Sequence, residues 1–244
     1  MSKQQPPVDG LCEQCGFNYG TGDLQGTVTL LVRQAAESAM ALTKAAAGPD
    51  PDVVRLRPEP EVWSAIEYAC HIRDVLEVQR LRIAQCLAED RPVYAPMDRT
   101  GRVKQEKYEF QNPIEVGAAV MKFAREFGAA ARVLTPPELA RLGLYNYPVR
   151  APRSLSWIVR HTAHEIQHHR HDIIEILAKV EPPIVPAPKP VVEEETTAEG
   201  DATDETATGD TAIGDTATDD DTATDDDTAP GGELAATVAE DNEH

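Results

Sequence analysis

Five of the seven histidines in this chain lie between positions 161 and 171. They are His161, His164, His168, His169 and His171. On an α-helix, residues four apart lie on one face, so such a pair can offer two neighbouring ligands to a metal ion. Two pairs have this spacing: His164 with His168, and Glu165 with His169. A solvated polar face is the alternative interpretation, but the density of histidines favours a divalent metal site.

A helical wheel of this segment distinguishes the two pairs. The apolar stripe that runs from Leu155 to Leu177 marks the side that faces a protein core. His169 falls within the stripe and Glu165 at its edge, whereas His164 points almost away from it and His168 is intermediate. If the metal lies inside a helical bundle, Glu165 and His169 are therefore the better-aimed pair.

A third ligand must come from another helix, and His71 in the segment WSAIEYACHIRD is the remaining internal histidine. Asp74, one turn later, could orient its ring or lie next to the ligands. Two nitrogen ligands and one oxygen ligand suit Zn²⁺, and Ni²⁺, Fe²⁺ or Mn²⁺ would also fit. Three protein ligands leave one position open for water or substrate, which is the layout of a reactive metal.

Two short motifs resemble the DinB-like superfamily of metal-binding four-helix bundles. Residues 63–74 follow the pattern WSxxExxxHIxD, and residues 169–173 read HRHDI. The resemblance covers about residues 23–180. The superfamily includes mycothiol-dependent maleylpyruvate isomerases and bacillithiol S-transferases. The resemblance therefore implies a thiol-dependent transferase or isomerase. Its cosubstrate would be mycothiol or another small thiol, bound at the open metal position.

The same resemblance implies a set of ligands. The family places one metal-binding histidine on its second helix and two ligands, four residues apart, on its last helix. Its isomerase-like branch has Glu, then His four residues later, then Asp three further, and Glu165, His169 and Asp172 match that spacing. The implied site is His71, Glu165 and His169, with Asp172 beside it. The His-His branch would instead imply His164 and His168.

Three other interpretations remain open. Residues 164–168 also fit H-E-x-x-H, the zinc protease signature, in which Glu165 would be a general base and not a ligand. A non-catalytic, metal-stabilised scaffold or binding module is a further alternative. Cys12 and Cys15 resemble half of a zinc knuckle, but no second CxxC exists to complete it.

Hydrophobic periodicity and capping signals predict four long helices that position these residues. We expect an irregular leader over residues 1–22, followed by helices over about 23–47, 61–90, 113–134 and 154–180. Residues 91–112 form a long connection, and the stretch after 134 is a short helix followed by an extended segment. The predicted fold is all-α, a four-helix bundle with one long crossover, plus a disordered acidic tail.

The acidic charge of the chain is confined to its C-terminal end. Of the 42 acidic and 23 basic residues, residues 181–244 contain 20 and one, so they carry the whole formal charge of −19. Residues 181–192 are a Pro-rich linker, and residues 193–244 are low in complexity and lack aromatic side chains. A segment of this composition cannot bury enough apolar surface to fold, so we expect it to be disordered.

Composition also limits the partners. Residues 1–180 contain 22 acidic and 22 basic residues, and they lack the basic face of a nucleic-acid binder. No apolar run is long enough for a transmembrane helix, and the N-terminus lacks the apolar stretch of a signal peptide. We expect a cytoplasmic protein with reduced cysteines. Its expected partner is a small-molecule substrate or thiol, not nucleic acid or membrane, and a homodimer is left open.

Deletion of residues 181–244 should leave helicity and melting temperature nearly unchanged, because the tail contains no aromatic residue and carries the whole formal charge of −19. Circular dichroism of the full chain and of the truncated chain checks this expectation. A large fall in melting temperature on truncation would show that the tail contributes to the folded body.

Overall fold

The computed structural model describes residues 9–147 and 149–180, and the predicted linker and acidic tail lie outside the described residues. Four long helices dominate: α1 (Leu24–Ala46), α2 (Ala65–Ala88), α4 (Pro113–Arg132) and α6 (Leu155–Val180). The shorter elements are α3 (Arg99–Gln105), α5 (Pro136–Leu139), β1 (Leu142–Tyr145), β2 (Ala151–Ser154) and two 3₁₀ turns, Pro51–Arg55 and Tyr108–Phe110. No helix among the described residues is long and apolar enough to cross a bilayer.

Capping side chains fix where the long helices begin. The Asp23 carboxylate accepts the Gly26 N–H at 2.6 Å, and the Ser154 hydroxyl accepts the Trp157 N–H at 3.1 Å. At α2, the Glu67 carboxylate reaches back to the Ser64 N–H at 2.8 Å. This helix therefore begins at Ala65, four residues later than the sequence predicted, and ends at Ala88 rather than at residue 90.

The long helices form the predicted four-helix bundle. Helix α1 packs against α4 and α6, and α2 packs against the same two helices. The first two long helices in the sequence are therefore largely diagonal to each other. The predicted crossover corresponds to residues 89–112, and the other two connections, residues 47–64 and 133–154, are also long. This arrangement brings the second turn of α2, which carries His71, against the middle of α6, which carries Glu165.

The extended segment predicted before the last helix is an antiparallel hairpin of β1 and β2, with Leu142 opposite Ser154 and Tyr145 opposite Ala151. It is held to the connection after α2, where the Tyr94 N–H donates to the Leu144 carbonyl at 3.1 Å. Gly143 lies so close to the Tyr94 ring that a Cβ atom would collide with it. The hairpin thereby places Tyr145 beside the bundle.

The described part of the leader, residues 9–22, packs on the bundle. Phe17 and Tyr19 are buried, and the Arg160 guanidinium of α6 donates to the carbonyls of Thr21 and Gly22, each at 2.9 Å. This contact corrects one expectation from the helical wheel. His164, which points almost away from the bundle core, is completely buried because the leader covers it.

Candidate metal centre

Helices α2 and α6 bring His71, Glu165 and His169 together. The Oε2 atom of Glu165 lies 3.8 Å from Nε2 of His71 and 3.5 Å from Nε2 of His169. One potential ligand atom from each residue lies within 4.8 Å of the others. Ligand atoms about 2.0–2.2 Å from one tetrahedral Zn²⁺ are themselves roughly 3.3–3.6 Å apart, so small side-chain adjustments would let all three bind one ion.

Burial at this cluster leaves ring nitrogens without hydrogen-bond partners, and a bound metal ion would satisfy them. His71 is 2% exposed, and both of its ring nitrogens lack a hydrogen-bond partner among the described residues. An unsatisfied buried polar atom costs free energy, and an orphaned imidazole nitrogen beside a carboxylate is a natural position for a cation. The two nitrogens and one oxygen of the cluster fit a divalent metal.

The charges at the cluster also favour a cation. Burial raises the pKa of Glu165, but the neighbouring imidazoles of His169 and His71 outweigh it and hold that pKa well below its ordinary value. Burial lowers the pKa of His169, yet Asp172 and Glu165 raise it overall to about 9. Burial lowers the pKa of His71. These directions favour an ionised Glu165 carboxylate, whose charge a proton on His169 or a metal ion would balance.

The two aspartates that sequence reasoning placed near the ligands behave differently. Asp172 contacts His169, with Oδ2 at 2.8 Å from Nδ1, which aims Nε2 of the ring at Glu165. Asp74 does not orient His71. Its carboxylate instead accepts from Nε of Arg73 at 2.8 Å and from Nε of Arg102 at 2.9 Å. Asp74 ties α2 to α3, because the crossover brings Arg102 over this part of α2.

His161 is a neighbour of the cluster to which the sequence analysis assigned no role. Its Nε2 lies 3.9 Å from Oε1 of Glu165, and its ring stacks on Trp157 with centroids 4.4 Å apart. The Tyr19 hydroxyl lies 2.9 Å from Nδ1 of His161 and 3.0 Å from Nδ1 of His164. The spacing of four residues between His161 and Glu165 was the signal that could have identified this neighbour.

The alternative pair, His164 and His168, lies beside the leader. Their ring nitrogens and the sulfurs of Cys12 and Cys15 lie within 4.8 Å of one another. Within the described residues, His71 belongs to the cluster of Glu165 and His169 and not to this one. The structure thus places the two i, i+4 pairs of α6 in different groups of potential ligands, and a third group joins His164 and Glu165 with His161.

Two cavities reach the carboxylate of Glu165. One, of about 410 Å³, is lined by His71, His161 and Glu165 at its inner end and by side chains from α2, residues 96–100 and the hairpin. The other, of about 560 Å³, is lined by Glu165, His168, His169 and Asp172 together with side chains that include Trp63 and Tyr68. Arg99 and Thr100 line both. Both cavities therefore adjoin the cluster.

Comparison with known proteins identifies the family. The family model of the DinB superfamily matches residues 34–173, which is more than half of the chain. The chain belongs to the DinB superfamily. The matched region contains His71, Glu165 and His169. A search of curated proteins found no match.

The DinB assignment agrees with a solved structure of similar fold. That structure is described as "YfiT from Bacillus subtilis is a probable metal-dependent hydrolase with an unusual four-helix bundle topology". The TM-score is 0.53 at 16% sequence identity, and the match covers 61% of this chain and 85% of that chain. At this identity the likeness establishes the fold, and the predicted four-helix DinB architecture is confirmed.

Replacement of Asp172 by asparagine in this DinB bundle should weaken metal binding about 10–100-fold, because Asp172 orients the ring of His169 and raises the basicity of its Nε2 atom. Competition titration against a chromophoric chelator measures the change. The matched control is Glu175→Gln, three residues later on α6, where the carboxylate is exposed and pairs with Lys179. Equal affinities in the two variants would show that Asp172 does not support the centre.

Proposed function

We propose that this DinB protein is a metal-dependent enzyme that acts with a low-molecular-weight thiol of the mycothiol type. It either transfers that thiol to a small substrate or uses the thiol to isomerise the substrate. The observation that carries the proposal is the pair of cavities that Glu165 borders, one lined also by His71 and His161 and the other by His168 and His169. A reaction between a thiol and a second organic molecule needs two binding spaces at one reactive point. A hydrolase that uses water needs only one.

The residues of the chain divide between holding the ion and binding the reactants. His71, Glu165 and His169 would hold a divalent ion, which supplies a Lewis acid that lowers the pKa of a thiol reaching its open position. Arg99 borders both cavities and offers a guanidinium group to a carboxylate of an acidic substrate.

The Tyr145 hydroxyl can donate a hydrogen bond to a molecule bound in the smaller cavity. Its hydroxyl oxygen accepts from Nε2 of Gln79 at 2.6 Å and from the Arg82 guanidinium at 2.9 Å. Since both neighbours donate, the O–H of Tyr145 remains available for a substrate oxygen. Burial raises the pKa of this phenol, so it stays protonated at neutral pH. We infer that Tyr145 positions an oxygen of the substrate near the reactive centre.

Two alternative functions receive less support. In the H-E-x-x-H interpretation, His164 and His168 would share an ion that keeps an open position, but two cysteine sulfurs lie beside this pair. Glu165 instead lies between His71 and His169. A non-catalytic scaffold would have a closed centre, whereas His71 and Glu165 both line a cavity. Hydrolysis by water at the His71 centre remains the second candidate, since YfiT is described as a probable metal-dependent hydrolase.

A thiol-consumption assay on the full chain tests the proposal. The protein is loaded with Zn²⁺ and mixed with mycothiol, glutathione or free cysteine and a chromogenic electrophile. With at least one of the three we expect a metal-dependent reaction that needs the thiol, either with loss of thiol, for a transfer, or with the thiol regenerated, for an isomerisation. His71→Ala should abolish it. The control is His171→Ala, because His171 is exposed on the same helix and lies outside both clusters.

The outcomes separate the candidates. Metal-dependent cleavage of ester or amide substrates with no need for thiol would overturn the thiol proposal in favour of a hydrolase. No turnover with either substrate class, from protein that retains its metal, would favour the scaffold. Arg99→Ala should raise KM for the acidic reactant and leave metal content unchanged, which distinguishes a substrate-binding role from a role in holding the ion.

A further inference from the structure

The leader and α6 together form a second group of ligand atoms. Cys12, Cys15, His164 and His168 each offer one ligand atom, and these four atoms lie within 4.8 Å of one another. Two of the residues come from the CxxC motif and two from the i, i+4 histidine pair. In the sequence each motif is half of a site, and the fold places the halves against each other.

The distances and ligand types suit a closed tetrahedral ion. The sulfur of Cys12 lies 3.7 Å from Nδ1 of His168. A sulfur at about 2.3 Å and a nitrogen at about 2.0–2.1 Å from one tetrahedral Zn²⁺ would be separated by roughly 3.6 Å. Two thiolates and two imidazoles are a ligand set found in structural zinc sites. None of the four residues belongs to the His71 centre.

A buried ring nitrogen of His164 without a hydrogen-bond partner supports a metal ion at this position. His164 is completely buried, and its Nε2 atom has no hydrogen-bond partner among the described residues. Its other nitrogen, Nδ1, lies 3.0 Å from the Tyr19 hydroxyl. If Nδ1 carries the proton and donates it to Tyr19, Nε2 presents its lone pair to an ion, which is how metal-binding histidines are usually arranged.

The leader is shaped to present its two cysteines to α6. The Cys12 N–H donates to the Phe17 carbonyl at 2.8 Å, and the Gly16 N–H donates to the Cys12 carbonyl at 2.7 Å. Gly16 has a φ of 73°, which favours glycine at this turn. The Gln167 amide of α6 donates to the Cys15 carbonyl at 2.6 Å. A turn held in this way keeps both thiols on the side of α6.

We propose that Cys12, Cys15, His164 and His168 bind a structural Zn²⁺ ion that fastens the leader to α6. Four protein ligands leave no position for a substrate, so this ion differs in role from one bound by His71, Glu165 and His169. Because His164 precedes Glu165 directly, the ion would also fix the part of α6 that carries the other centre. Fastening the leader keeps Tyr19 beside His161.

Zinc stoichiometry and X-ray absorption of the full chain test this site. We expect about two zinc ions per chain in the parent protein. Cys12→Ser combined with Cys15→Ser should halve this number, and His71→Ala should halve it independently. In His71→Ala, the remaining zinc should show sulfur neighbours at about 2.3 Å. The controls are Cys86→Ala, a buried thiol outside the cluster, and His171→Ala.

Other results would overturn the proposal. An unchanged zinc content in the double cysteine variant would do so, as would a zinc shell without sulfur in His71→Ala. A Cys12–Cys15 disulfide in protein purified under reducing conditions would replace the metal site with a redox pair. If the double variant fails to fold, His168→Ala provides the second test, because His168 is only partly buried. Failure of the thiol assay would leave these results unaffected, since they involve different residues.

Discussion

Replacement of Glu165 by glutamine is expected to empty the centre formed with His71 and His169. Glutamine keeps the size of the side chain but removes the negative charge that attracts a cation to a buried position. Changes in residues that merely contact the ligands typically cost about 10–100-fold in affinity, so loss of a ligand should cost at least about 100-fold. Metal analysis after dialysis against a weak competing chelator measures the effect.

Two further variants show whether Glu165 acts as a ligand or as a base. His169→Ala should lose the same ion as Glu165→Gln, whereas His164→Ala should keep it and lose only an ion bound beside Cys12 and Cys15. His171→Ala should retain all bound metal. Full metal occupancy in Glu165→Gln, together with loss of metal in His164→Ala and its retention in His71→Ala, would revive the interpretation in which Glu165 is a general base.

Removal of metal is expected to produce the largest change in stability. An ion that binds only the folded state stabilises it by mass action, by about 4 kcal/mol when free metal is 1,000 times the dissociation constant. For a domain of this size, 1 kcal/mol corresponds to about 2–4 °C, so prolonged treatment with a strong chelator should lower the melting temperature by roughly 8–16 °C. Thermal unfolding followed by circular dichroism gives the shift.

A variant that lacks ligands at both clusters is the matched control for the chelator experiment. A variant that combines His71→Ala with Cys12→Ser and Cys15→Ser should melt at the same temperature with and without chelator, since it lacks ligands at both clusters. Readdition of Zn²⁺ should restore the parent melting temperature. An unchanged melting temperature in the parent, with no metal in the purified protein, would favour a polar histidine face over a metal centre.

Local patterns were sufficient to predict the helices and the grouping of Glu165 with His169. Helix starts follow from capping residues such as Asp23 and Ser154, which act within one turn of the chain. The i, i+4 spacing fixes two side chains on one helix whatever the helix packs against. The proximity of His71 to this pair needed the packing of α2 on α6, which the family resemblance implied and the fold contains.

Contacts made by the leader and by the connecting segments could not be predicted from the sequence. The wheel assumed that α6 has one buried side, but the leader buries a second, so His164 is covered rather than exposed. The contact of Cys12 with His168 joins residues 156 positions apart. Asp74 lies one turn from His71, yet its carboxylate accepts a hydrogen bond from Arg102 of the crossover. These pairings depend on how connecting segments fold back, which helical periodicity does not encode.

Anomalous X-ray scattering at the zinc edge, from crystals of the full chain grown with Zn²⁺, tests the central claim most directly. The account predicts an anomalous peak about 2.0–2.2 Å from a ring nitrogen of His71, a ring nitrogen of His169 and a carboxylate oxygen of Glu165. A peak confined to His164 and His168, with His71 and Glu165 left without metal, would contradict the assignment of the reactive centre.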